Sequence, residues 1–166
     1  MSLNNPTMGE RVGWIFQINA SNGGVPKLSR KLGEVTFNGL TGDNQANLDV
    51  HGGPERALCL YSLERILALQ AEGHPIFPGS AGENLTLAGL DWSLVNPGTR
   101  LQLGASVLVQ VTRYTSPCNT ISGSFMKNDY SRISQKVFPG WSRVYAQVIQ
   151  PGTIQVSDAV RISTMD

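Results

Sequence analysis

"LQLGASVLVQVTRYTSPCNTI", residues 101–121, carries the reading on which the fold turns. Leu101 to Tyr114 reads as two strands around a turn at Gly104-Ala105, the second ending just before Cys118. Pro117 removes a backbone donor and pushes Ser116 towards extended geometry, which puts Cys118 on a loop just past a strand end. Outward from there, "VGWIFQINAS" (12–21) alternates as a strand does, and "ALCLYS" (57–62) reads as a short buried strand. "VYAQVIQPGTIQVSDAVRI" (144–162) reads as three more strands, punctuated at Pro151-Gly152 and Ser157-Asp158. The segments starting at Pro97 and Pro151 echo each other as turn, strand, tight turn, strand, which reads as two similar hairpins of one sheet. Many short strands with regular punctuation predict a mainly β protein, its sheet a closed or nearly closed barrel.

One helix interrupts the strands. Ser62 caps "SLERILALQAEG" (62–73), Glu64 occupies the first turn, Leu63, Ile66, Leu67, Leu69 and Ala71 supply an apolar side, and Gly73 ends it. A second, weaker helix is predicted over "NDYSRISQKVF" (128–138), stopped by Pro139-Gly140. No low-complexity linker divides the 166 residues. We therefore read a single domain over 1–166 with a core of about 12–162, the first eleven residues being expected to be flexible.

Composition excludes several roles. The net charge of +1 offers nothing global to nucleic acid or to an acidic membrane face, and neither is expected as a partner. Charged residues make up 15% of the chain, against roughly a quarter in an average soluble domain, which with 18 glycines suits a turn-rich β protein. No apolar run approaches the roughly 20 residues of a membrane span, and the N-terminus lacks the basic and apolar regions of a signal peptide. The expected location is the cytoplasm. There a reducing milieu keeps the two cysteines as thiols. Cys59, between Leu58 and Leu60, reads as a small hydrophobe in a core strand; Trp14, Trp92 and Trp141 are also assigned to the core.

Three polar segments stand out. In "HGGPER" (51–56), Gly52 and Gly53 permit outward-facing backbone N–H groups, the geometry of an anion nest, beside His51 and Arg56. A plain glycine turn with a surface histidine and a solvated arginine reads equally from these residues. In "GENL" (82–85), Glu83 and Asn84 stand at a strand start, where the carboxylate either binds a ring N–H or pairs with an arginine. In "NGGVPKLSR" (22–30), two glycines and Lys27 follow the first strand as a phosphate cradle would, without the GK[ST] ending of a Walker loop.

Together, "GGVPK" (23–27), "GLTGDNQ" (39–45), "HGGPERALCLYS" (51–62), "GHPIFPGSAGENLTLAGLDW" (73–92), "SPCNTI" (116–121) and "PGWSRVYAQV" (139–148) resemble, in order and approximate spacing, the MOSC domain family. That is the molybdenum-cofactor sulfurase C-terminal domain, and the similarity is greatest to its small stand-alone bacterial members. The resemblance implies a barrel with a few short helices at its rim and a pocket for the pterin-based molybdenum cofactor, molybdopterin. It assigns Cys118 as the catalytic thiol and metal ligand. It makes Lys27, His51, Arg56, Glu83, Asn84 and Arg143 candidates for cofactor binding, with Gly52 and Gly53 giving close backbone approach. A thiolate is a soft ligand, and Arg113, Arg143 or Lys27 nearby would favour it over the thiol. The family's acidic turn near the C-terminus, often Gly-Asp, is Ser157-Asp158 here.

The implied activity is reduction of a small N-hydroxylated substrate, of the hydroxylaminopurine or amidoxime type. An external reductase is expected as electron donor, because no GxGxxG element for a nicotinamide or flavin is present. The alternative is a sulfur carrier, with Cys118 delivering sulfur from a persulfide to a metal centre. A cofactor-binding or storage protein without catalysis is a third reading.

Overall fold

In the computed structural model, residues 12–44 and 53–163 are described. The strands are β1 (Val12–Ala20), β2 (Leu28–Arg30), β3 (Leu32–Thr36), β4 (Gly39–Leu40), β5 (Leu58–Ser62) and β6 (Leu85–Ala88), then β7 (Arg100–Leu103), β8 (Val107–Tyr114), β9 (Val144–Gln150), β10 (Gly152–Gln155) and β11 (Ala159–Ser163). The helix α1 spans Leu63–Ala71. Neighbouring strands follow the order β11-β7-β8-β9-β5-β6-β1, and β1 also pairs with β11, so seven strands close into a barrel with β2 appended to β1. The barrel expected from the sequence is there.

Closure works because β1 changes partners along its length. Its first half pairs with β11, Val12 opposite Arg161, and its second half with β2, Ile18 opposite Arg30. A register shift against β6 between Ile15 and Gln17 supplies the bend. Inward positions alternate as a half-buried strand requires: Leu101 and Leu103 on β7, and Val107, Val109 and Val111 on β8, are buried with Ile15, Leu60, Leu87 and Val160. A smaller sheet, β10-β3-β4, lies beside the barrel and adds Val35, Leu40 and Ile154 to the same core.

β5 and β6 are parallel, Leu60 opposite Leu85, and therefore need a crossover. α1 is that crossover. The Ser62 hydroxyl accepts the Arg65 N–H at 3.1 Å, Ile66 and Leu69 face the core, and Gly73 at φ 102° ends the run as expected. The expected apolar side is narrower than the sequence suggests, since Leu67 is exposed.

Three expectations change. Residues 128–138 hold no α-helix: short 3₁₀ turns at Met126–Asn128 and Tyr130–Ile133 replace it. Lys127 and Asn128 adopt positive φ, and the Asp129 carboxylate accepts from the Ser131 N–H and hydroxyl, so side chains take backbone partners that a helix would need. The echo between the segments at Pro97 and Pro151 is not two hairpins of one sheet either. β7 and β8 do pair, but β10 joins the small sheet and β11 the barrel. Ser157 at φ 78° and the Asp158 carboxylate, accepting from the Gln155 N–H, make the corner between them. Of the tryptophans, Trp92 is buried, Trp141 is half-buried against the core, and Trp14 is 46% exposed on the outer face of β1. No helix among the described residues is long and apolar enough to cross a membrane.

Candidate active-site cleft

Strand register gathers the site. Ile18 lies opposite Leu85, Leu85 opposite Leu60, Leu60 opposite Val144, and Val144 opposite Tyr114. The end of β1, the starts of β6 and β9, the first half of β5 and the end of β8 therefore meet at one rim. The chain leaves that rim towards Lys27 and Cys118 and enters it at Asn84 and Arg143. A cleft of about 600 Å3, counting its open mouth, is lined there by Lys27, Cys59, Asn84, Cys118, Arg143 and Tyr145.

Cys118 is half-buried, extended, and precedes the 3₁₀ turn Asn119–Ser124, its carbonyl accepting the Ile121 N–H at 3.2 Å. Arg143, immediately before β9, is 6% exposed. Its Nη1 donates to the Ala81 carbonyl at 2.6 Å, while its buried Nε has no acceptor. No carboxylate among the described residues lies within ion-pair distance of it. A buried guanidinium without a carboxylate partner is costly, and an anion is the kind of group that would offset it.

Lys27 differs. Its Nζ is 2.7 Å from the Asp43 carboxylate, and both side chains are almost wholly shielded. Asp43 also accepts the Asn84 amide at 2.8 Å and the Ser21 N–H at 3.0 Å, so its carboxylate is well supplied with donors, a condition under which a buried charge is tolerated. Asn84 is committed on its other side too, its Oδ1 accepting the Cys59 N–H at 2.9 Å. This amide fixes β5, β6 and the Asp43 segment to one another.

The remaining candidates fall at different places. Arg56 lies over the ring of Tyr145, 5.9 Å from its centroid, and does not line the cleft. Gly53 is exposed at φ 95°, ahead of the 3₁₀ turn Pro54–Arg56, and does not line the cleft. Glu83 does not reach the cleft. It is 0% exposed, with its carboxyl accepting the Gly79 N–H at 2.9 Å and the Thr86 hydroxyl at 3.3 Å, and burial pushes it up to about 7. Arg113 pairs with Glu55 on the surface. His51 and Gly52 lie outside the described residues.

Three residues of the site were not among the sequence candidates. Cys59 is a core residue as expected, but it also lines the cleft, its Sγ 3.9 Å from the Thr115 hydroxyl, and burial raises its thiol. Tyr145 lies opposite Cys59 across the sheet, and desolvation pushes its hydroxyl up to about 12. Asp43 sits inside the quoted "GLTGDNQ" stretch, where its partners lie too far along the chain to be seen.

Known proteins were compared with this arrangement. A family model described as the MOSC domain matches residues 47–161. Protein YiiM of Escherichia coli (strain K12) is 36% identical over 152 residues, which is 83% of this chain and 64% of that protein. An uncharacterized protein, YflK of Bacillus subtilis (strain 168), is 33% identical over 115 residues, 68% of this chain and 50% of that protein. The chain thus spans about half to two-thirds of the length of these relatives. The crystal structure of YiiM from Escherichia coli superposes with a TM-score of 0.69 at 26% identity, over 93% of this chain and 71% of that one.

Proposed function

The chain belongs to the MOSC domain family, and from that premise we propose that its cleft holds a pterin-based molybdenum cofactor and reduces N-hydroxylated compounds. The observation that carries this reading is the pairing, in one cleft wall, of a half-buried thiol with a buried guanidinium whose Nε has no acceptor. The donor set suits such a group. Arg143 offers charge to a phosphate, while Lys27 is held in its ion pair with Asp43, and Cys118 offers a soft sulfur to the metal. Among the described residues no cluster of three His, Cys, Asp or Glu side chains could hold a metal without such a cofactor.

When bound, the cofactor supplies a two-electron centre able to take oxygen from an N–O bond. The chain's own contributions are local. Arg143 binds and orients the phosphate. Cys118 anchors the metal. Tyr145 presents an O–H donor at the wall. Val25, Ala81 and Ile121 add apolar surface that limits water in the cleft. The reaction balances as R–NH–OH with two electrons and two protons giving R–NH2 and water, the electrons coming from a partner reductase. Hydroxylaminopurines and amidoximes both fit this class.

The test is a molybdenum and pterin assay on protein purified from a host that makes the cofactor, beside Cys118→Ser. Stoichiometric metal and pterin in the native protein, with metal lost in the variant, is the expected result. A folded native protein that takes up neither, even on reconstitution, eliminates this reading. One observation favours the sulfur-carrier reading instead: Cys59 is a second thiol in the same cleft. A persulfide assay on Cys118 separates the two.

A further inference from the structure

Glu83 carries a buried carboxyl that touches nothing in the cleft, yet it holds the turn on which both cleft cations depend. Its Oε1 accepts the Gly79 N–H at 2.9 Å. The Gly79 carbonyl in turn accepts the Lys27 N–H at 2.9 Å and the Gly82 N–H at 3.3 Å. Two residues along, the Ala81 carbonyl accepts Arg143 Nη1 at 2.6 Å. The turn therefore reaches the Lys27 backbone on one side and the Arg143 guanidinium on the other. Gly79 sits at φ 92°, and a Cβ there would lie 2.3 Å from the Lys27 carbonyl oxygen, so the two segments are in direct backbone contact.

The rear of the turn is braced by a chain of side chains. The Thr86 hydroxyl donates to Glu83 Oε2 at 3.3 Å, and Asn19 Nδ2 donates to the Glu83 carbonyl at 3.1 Å and to Thr86 Oγ1 at 3.2 Å. Gln17 Nε2 bridges Asn19 Oδ1 at 2.7 Å and the Pro78 carbonyl at 3.2 Å. Burying a carboxyl that neither binds ligand nor forms an ion pair is costly, and an apolar residue would pack a turn more cheaply. What an apolar residue cannot do is accept the Gly79 N–H from behind while leaving the Gly79 carbonyl to the Lys27 backbone N–H and the Ala81 carbonyl to the Arg143 guanidinium.

We propose that Glu83 is a positioning residue: by fixing the turn at Gly79–Gly82 it sets the placement of Arg143 and Lys27, and so the affinity of the cleft for an anionic ligand. The inference rests on the anion-binding role given to the cleft above. Glutamine at 83 retains an acceptor for Gly79 and an amide for Thr86; alanine retains neither.

The experiment is a titration of the whole chain with inorganic phosphate, followed by amide and arginine Nε–H NMR signals, on wild type, Glu83→Gln and Glu83→Ala. Wild type and Glu83→Gln shift the Arg143 Nε–H and Lys27 N–H signals with similar affinity. Glu83→Ala binds phosphate about ten- to a hundredfold more weakly, the range seen when groups orienting metal ligands are removed. Its free-state changes are confined to Gly79, Gly82, Lys27 and Arg143, with Leu101 and Val109 of the distant barrel wall unmoved, which general destabilisation would not produce. If Glu83→Ala fails to fold, Thr86→Val takes its place, with a smaller loss in the same direction. Equal phosphate affinity in wild type and in the folded variants overturns the role of Glu83 alone. No response to phosphate in wild type overturns the anion reading of the cleft and this inference with it.

Discussion

Cys59 and Cys118 line the same cleft, but only one is a packing residue. Cys59 is 7% exposed within β5 with its Sγ beside the Thr115 hydroxyl, so Cys59→Ser loses buried sulfur packing and buries a more polar group, and should cost about 1–3 kcal/mol. Cys118→Ser, on a half-buried loop, should change stability by less than about 0.5 kcal/mol. Paired thermal melts decide the matter, and the opposite order of melting temperatures contradicts this division of labour. Glu83 leaves a pH signature of its own. Burial, its largest cause, raises the carboxyl from an ordinary 4.5 to about 7. A value raised in the folded state means that the native protein holds this proton more tightly than the unfolded chain. The associated stability is complete below about pH 4.5 and is lost as pH climbs to about 7, a difference on the order of 3 kcal/mol. Urea midpoints across that range should fall in wild type and lose this fall in Glu83→Gln; parallel curves would show that Glu83 does not titrate there.

At the scale of elements, α1 shows why some structure is legible in a sequence. Ser62 and Gly73 announce its ends through local chemistry, and the hydroxyl of Ser62 accepts the Arg65 N–H as the sequence predicts. Ser62→Ala should therefore cost about 1 kcal/mol, readable as a lowered urea midpoint with unchanged slope. A shift larger than about 2 kcal/mol would mean that Ser62 does more than cap. β5, β7, β8, β9 and β11 were equally legible, from apolar runs bounded by glycine, proline or serine. β2 and β4 were not, since three and two residues carry no period. Residues 128–138 misled because Ile133 and Val137 space like a helix face while Asp129 and its serine neighbour take their backbone partners locally. The site was legible only in part for a similar reason. Cys118 and Arg143 sit in recognisable motifs, whereas Cys59 and Tyr145 enter the cleft, and Asp43 reaches Lys27 and Asn84, through register and loop placement that no local pattern reports. Glu83 looked like a ligand because exposure, which decides between binding and bracing, is a property of the fold.

On the scale of the whole molecule, the barrel and the cleft are separable in kind. The barrel wall formed by β7, β11 and most of β8 contributes packing, while the cleft draws on strand ends and loops at one rim. The crystal structure of YiiM from Escherichia coli shares the fold over 93% of this chain. The pairing of Val12 with Arg161 has a kinetic consequence. It joins segments almost as far apart in sequence as the described chain allows, and so carries the largest loop-closure entropy of any contact in the barrel. Contacts of that kind are expected to form after the transition state, once the hairpin of β7 and β8 and its pairing with β9 have consolidated. Val160→Ala, at a fully buried position on the closing strand, should thus accelerate unfolding in a chevron while leaving the refolding arm almost unmoved. A slowed refolding arm would instead make closure the nucleating event. The seam of the barrel, last to close, is then also the first to part, and the lifetime of the native state is set there, at the pairing of β1 with β11.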